Sequence, residues 1–284
     1  MTLNCNRSCR GSRKCPRRRP DLLADARRRG GYAIGVTRQK ILITGASSGL
    51  GAGMARAFAA KGRDLALCAR RTDRLDELKA ELTGRYPGIN VAVAALDVND
   101  HEQVPKVFAE LSDELGGLDR IIVNAGIGKG ARLGSGKLWA NKATIETNLV
   151  AALVQIETAI EMFKKAGSGH LVLISSVISA RGVPGVRAAY AASKAGLSSL
   201  GESLTAEYAK GPITVSTIEP GYIQSEMTAK ADTTMLMVDN ETGVKAIVDA
   251  IEREPDRAAV PRWPWAPLVQ IFRLLPPRIA ARVM

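Results

Sequence analysis

The chain has 284 residues, of which 46% are hydrophobic and 24% charged, with a formal net charge of +12. That length buries a substantial core, and that composition excludes an intrinsically disordered chain over most of its length. The charge is uneven: residues 1–35 carry ten Arg or Lys against two Asp, a net of +8, so the remainder stands at only +4 and gives no reason to expect a nucleic-acid partner.

The chain starts with this basic leader, 1–35, which also holds Cys5, Cys9 and Cys15 but few large apolar residues. It cannot build a core of its own and is expected to be disordered or to come from a start site placed too far upstream. Val36 stands where an initiator Met is expected, and a bacterial GTG start codon would be read as Val inside a longer frame. The rival reading is a basic arm that binds anionic partners. Arg17, Arg18, Arg19, Arg27, Arg28 and Arg29 leave no apolar stretch for a secretory signal. No apolar run reaches the roughly 18 residues of a membrane span. A cytoplasmic, reducing setting is therefore expected, with Cys68 as a small core residue; His101 and His170 are too few to suggest a metal site.

From Lys40 onward short apolar runs alternate with longer amphipathic segments. The runs are 41–44, 64–69, 90–96, 119–123, 170–175, 213–219 and 257–261, continuous rather than alternating, as strands covered on both faces should be. Between them lie helical stretches, including 74–85, with Leu75, Leu78 and Leu82 on one face, and a long one over 142–165. The pattern predicts an α/β domain over 36–262, a doubly wound sheet of about seven parallel strands. The tail, 263–284, is apolar and basic and is broken by Pro276 and Pro277. It either packs on the body and closes the substrate cleft or rests on a membrane, with Arg273, Arg278 and Arg282 at anionic headgroups.

Strand one runs into Thr44-Gly45-Ala46-Ser47-Ser48-Gly49-Leu50-Gly51, where glycines permit a tight turn and bring backbone N–H groups to a diphosphate. Strand two ends at Ala69, with Arg70 and Arg71 next. Two guanidinium groups in place of an acidic residue suit a 2′-phosphate, so NADP(H) rather than NAD(H) is expected. Tyr190 and Lys194, four apart on one helical face, follow Ser175-Ser176 at the end of strand five. A phenol with a pKa of about 10 needs such a neighbouring ammonium to act in proton transfer.

As an ordered set these motifs resemble the classical short-chain dehydrogenase/reductase family over roughly 37–261. The resemblance implies a single Rossmann-type domain and hydride transfer between NADP(H) and a carbonyl or alcohol substrate, with Asn148, Ser176, Tyr190 and Lys194 as the catalytic set. Tyr190 would donate the proton, Lys194 would lower its pKa and hold the nicotinamide ribose, and Asn148 would hold a connecting water. Ser176 stands one residue further from Tyr190 than is usual in the family, and the extra residue is assigned to the loop 178–184; Ser179 is the alternative. The cofactor set implied is Gly45, Ser47, Ser48, Gly49, Leu50, Gly51, Arg70, Arg71, Asp97, Val98, Asn124, Ala125, Gly126, Tyr190, Lys194, Pro220, Gly221, Ile223 and Ser225. Within it Asp97 would bind adenine, and Pro220-Gly221-Tyr222-Ile223-Gln224-Ser225 would face the nicotinamide, with Ser225 in place of the usual Thr. Val123 replaces the Asn that often precedes Asn124-Ala125-Gly126. The family also implies a homo-oligomer paired through the helices carrying Asn148 and Tyr190. Met227, Met235, Leu236, Met237 and Val238 suggest an adaptable lid over an apolar small-molecule substrate. A cofactor sensor without turnover and an epimerase or dehydratase of the extended branch are the competing classes.

Overall fold

The computed structural model describes residues 37–226, 236–276 and 278–279. The basic leader, most of the Met-containing lid and the end of the tail lie outside the described residues.

Seven parallel strands form one sheet: β1 (Lys40–Thr44), β2 (Asp64–Ala69), β3 (Val91–Ala95), β4 (Arg120–Val123), β5 (Gly169–Ile174), β6 (Ile213–Pro220) and β7 (Arg257–Val260). Their order is β3-β2-β1-β4-β5-β6-β7. Successive strand residues point to opposite faces, so each strand feeds two cores. Ile41, Ile43, Leu65 and Leu67 pack on one side, against Met54 and Phe58 of α1 (Gly49–Ala59), Leu75, Leu78 and Leu82 of α2 (Thr72–Arg85) and Ile247 and Ile251 of α7 (Asn240–Glu252). Leu42, Ile121 and Leu171 pack on the other, against Phe108 and Leu111 of α3 (Gln103–Leu115), Ile156 and Phe163 of α5 (Ala151–Ala166) and Leu197 of α6 (Ala188–Tyr208). Cys68 is fully buried there, and burial pushes its thiol up to about 12, which leaves it an inert core residue.

The expected long helix over 142–165 is two helices in series. Helix α4 (Leu138–Ile145) passes through a π turn, Glu146–Val150, into α5. The turn inserts one extra residue and rotates α5 relative to α4, a common device at functional sites. After β7, helix α8 (Arg262–Leu274) turns Trp265, Val269 and Phe272 onto Val177. Among the described residues no helix is long and apolar enough to cross a membrane.

At the amino-terminal edge of the sheet lies a buried polar cluster. The Arg120 guanidinium donates to His170 Nδ1 (2.9 Å) and pairs with Glu252 (2.6 Å), while Arg38 pairs with Glu254 (2.8 Å). His170 Nε2 lies 2.9 Å from Ser216 Oγ. Because Arg120 can only donate, Nδ1 must accept, and Nε2 carries the imidazole proton toward Ser216.

Candidate active site

The sheet order reverses direction between β1 and β4, where the helices leaving the two strands cover opposite faces. A crevice opens at the carboxyl ends of strands at such a point. Here it is a cleft of about 470 Å³.

The β1–α1 turn forms its floor. Gly45 has φ +67°, and a Cβ on it would lie 2.9 Å from Ala125 Cα, while a Cβ on Gly51 would lie 2.3 Å from the Gly45 carbonyl oxygen. No side chain larger than hydrogen fits either position. Ser48 caps α1 in an extended conformation without a side-chain bond, and the first turn holds no acidic residue. The N–H groups and positive dipole end of α1 are thus directed at the cleft. Thr44 and Asn124 lock the floor: Thr44 Oγ1 accepts from the backbone N–H of Asn124 (3.0 Å) and Ala125 (3.1 Å), and Asn124 Nδ2 donates to the Thr44 carbonyl (2.8 Å).

All nineteen residues of the expected cofactor set line this one cleft, as does Ser176. At one end Arg70 and Arg71 leave β2 side by side. Both are substantially exposed; Arg70 lies 3.9 Å from Asp97, and Arg71 reaches Ser47 Oγ and the Glu226 carboxylate, each at 3.4 Å. Asp97 accepts from the backbone N–H of Asn99 (3.1 Å).

At the other end stand Ser176, Tyr190 and Lys194. Ser176 leaves β5 in extended conformation, accepts from the Ile178 N–H (3.3 Å) and opens a short 3₁₀ turn, Val177–Ala180. Its hydroxyl donates to the Pro220 carbonyl (3.4 Å) and lines the same cleft as Tyr190. Burial pushes the Tyr190 phenol up to about 12; the Ser176 hydrogen bond acts downward and Tyr222 upward. Burial pulls Lys194 down to about 8. Its Nζ donates to the Ile174 carbonyl (2.8 Å) and sits 6.0 Å from the centre of the Tyr190 ring. The Lys194 ammonium is thus engaged by the backbone of β5, and desolvation is the largest influence on the phenol.

Asn148 lies in the π turn, behind the cleft wall rather than on it. Its amide accepts from the Ile127 N–H (2.8 Å) and donates to the Ile127 carbonyl (2.9 Å), which clamps the chain leaving β4. Its Nδ2 also lies 3.3 Å from Ser193 Oγ, tying that clamp to the helix of Tyr190 and Lys194.

Sequence reasoning missed several residues around this set. Glu219, at the end of β6 and 1% exposed, accepts from Ser179 Oγ (2.6 Å) and Ser198 Oγ (3.4 Å) and pairs with Arg257. Ser198 in turn lies 2.7 Å from Ser175 Oγ, which donates to the Lys194 carbonyl (3.0 Å). Ser179, the alternative serine, is thus engaged by a buried carboxylate, and Ser175 by the helix. The other missed pair is Tyr222 and Arg187: the guanidinium donates to the Tyr222 hydroxyl (3.2 Å), and the Tyr222 ring packs edge-on against Trp265, with centroids 5.3 Å apart. The Glu-Pro-Gly sequence was the only signal that could have pointed to Glu219.

A family profile described as short chain dehydrogenase matches residues 39–236. A Mycobacterium tuberculosis protein named an uncharacterized oxidoreductase is 80% identical over 248 residues, covering 87% of this chain and 98% of that one. Among solved structures, an alcohol dehydrogenase from the archaeon Thermococcus sibiricus, complexed with 5-hydroxy-NADP, superposes with a TM-score of 0.69 at 25% identity, covering 78% of this chain and 95% of that one. A short-chain type dehydrogenase/reductase from Mycobacterium marinum gives 0.70 at 26% identity, covering 77% and 92%. Fold, cleft and sequence agree, and the chain belongs to the short-chain dehydrogenase family of oxidoreductases.

Proposed function

We propose that the protein reduces a carbonyl compound to its alcohol, or runs the reverse, with NADP(H) as redox partner and Asn148, Ser176, Tyr190 and Lys194 as its working residues. The observation that carries this reading is the convergence of Ser176, Tyr190 and a buried Lys194 on the same cleft as the amino terminus of α1, whose N-cap Ser48 makes no side-chain bond to it.

The residues present fit a dinucleotide. The glycine turn admits no Cβ, which suits close approach of a diphosphate, and the α1 terminus supplies unpaired N–H groups for it. When bound, the cofactor supplies two electrons as a hydride at the carbonyl carbon or takes them back. Tyr190 and Ser176 hold the carbonyl oxygen between two hydroxyls. Held near 12, the phenol stays protonated at neutral pH and serves as the acid of carbonyl reduction. Lys194, charged below about 8, supports the phenolate left behind once the proton has moved. Asn148 acts from behind, fixing the Ile127 segment and Ser193.

NADP(H) is favoured over NAD(H) because no carboxylate ends β2 and two guanidinium groups follow it. The cofactor analogue in the Thermococcus neighbour is of the same kind. An apolar substrate is favoured by the composition of the segment after Ser225, with Met227, Met235, Leu236, Met237 and Val238.

The test is oxidation of NADPH and NADH against a panel of aldehydes and ketones, repeated with Arg70→Asp. The expected result is NADPH-dependent turnover in the wild type. In the variant the NADPH-to-NADH ratio of kcat/KM should fall by about 30-fold or more, since a charged contact is replaced by a repulsive one. A preference that stays unchanged in this variant and in Arg71→Asp rejects the cofactor assignment.

A further inference from the structure

We propose that the outer face of helix α8 docks the protein on an anionic lipid surface. From Arg257 to the end, the sequence holds five arginines and no Asp or Glu. Helix α8 spends its inward face on the body through Trp265, Val269 and Phe272. Its opposite face is nonetheless mostly apolar, with exposed Gln270 as its one polar residue. Pro267, Ile271 and Leu274 succeed one another at i, i+4 and i+7, Trp263 stands before them, and Trp263 is 80% and Leu274 85% exposed. A core-packing helix needs one apolar stripe and normally turns a polar face to water. Here the second stripe is apolar apart from Gln270, and exposed Arg262 and Arg278 bracket it.

An apolar stripe between cations fits the boundary of an anionic bilayer, where side chains such as Trp and Leu enter the acyl region and arginines meet headgroups. A symmetric pairing of two copies through this face would bring arginines together with no acidic residue of the tail to neutralise them. An anionic surface supplies the missing charge. The helix also adjoins the substrate end of the cleft. A Cβ on Gly221, which lines the cleft, would lie 2.0 Å from Trp265 Nε1, and Tyr222 packs edge-on against the same indole. Docking would therefore set the cleft beside the membrane, whatever the substrate proves to be.

The full chain is mixed with vesicles of phosphatidylcholine alone or of phosphatidylcholine with brominated phosphatidylglycerol, and sedimentation and tryptophan fluorescence are read together. Expected are binding at least about 10-fold stronger to the anionic vesicles and quenching by the brominated chains. Trp263→Phe should still bind but lose most of the quenching. Ile271→Glu/Leu274→Glu should lose the binding about 10-fold while keeping turnover of a water-soluble carbonyl substrate, which also shows that it folds. Binding equal on both vesicle types overturns the proposal. So does binding undiminished in the double variant, because the basic leader would then carry it. A double variant that changes only the oligomeric mass, with no vesicle binding in the wild type, assigns the face to a second copy and likewise overturns it.

Discussion

A carboxylate as buried as Glu219 must be paired and hydrogen-bonded to be tolerated. Its partners join two pieces of chain: Ser179 belongs to the 3₁₀ turn opened by Ser176, and Ser198 sits one helical turn beyond Lys194. Glu219 therefore sets the distance between Ser176 and the helix of Tyr190. Glu219→Gln is expected to lower kcat about 10-fold with a much smaller effect on NADPH affinity, because the Arg70 and Arg71 end of the cleft is remote from it. An unchanged kcat would show that the turn holds Ser176 without this clamp. The motif residues around the cleft were legible because turn glycines and an i, i+4 Tyr–Lys pair leave short local patterns. Glu219, Arg187 and Tyr222 were not, since they meet partners 21 to 40 positions away and carry no periodicity of their own.

At the level of elements, β4 and β5 are tied together at their amino-terminal ends by Arg120 and His170. Burial, then Arg120 and Arg38, hold His170 well below its ordinary range, so it is neutral in the fold. Unfolding frees it to titrate near 6.5. As pH falls below that value the unfolded chain takes up a proton that the folded chain refuses, so stability is lost on going down from about 6.5 toward the folded pKa. Urea unfolding should show a loss approaching about 1.4 kcal/mol per pH unit in that window, absent in His170→Gln. Parallel profiles for the two proteins would remove His170 as the cause. The strands were readable as uninterrupted apolar runs. The π turn was not, because one inserted residue leaves the apolar spacing of 142–165 almost unchanged, and α4 begins with Leu138 and Trp139, which are exposed and so give no core period. In α8, Trp263 is extended because Pro264 comes next, and the helix then continues through Pro267 to Leu274, short of the two prolines expected to end it.

Across the whole molecule, the reversal of sheet order gathers residues from every part of the domain onto one edge: the glycine turn after β1, the arginines after β2, Ser176 after β5, Tyr190 and Lys194 on α6, and Pro220-Gly221 ending β6. The alternation of strands and helices was enough to anticipate this layout. The tail admits two readings from its residues alone, because a sequence that is apolar on both sides does not say which side faces the body. The central claim, that this edge performs redox chemistry through Tyr190, is tested most directly by Tyr190→Phe. The ring is kept and only the hydroxyl is lost. NADPH binding, followed by its fluorescence, should be retained, and carbonyl-dependent NADPH oxidation should fall by roughly 10²- to 10⁴-fold, the usual worth of a general acid. Turnover close to that of the wild type, with cofactor binding intact, would contradict the assignment.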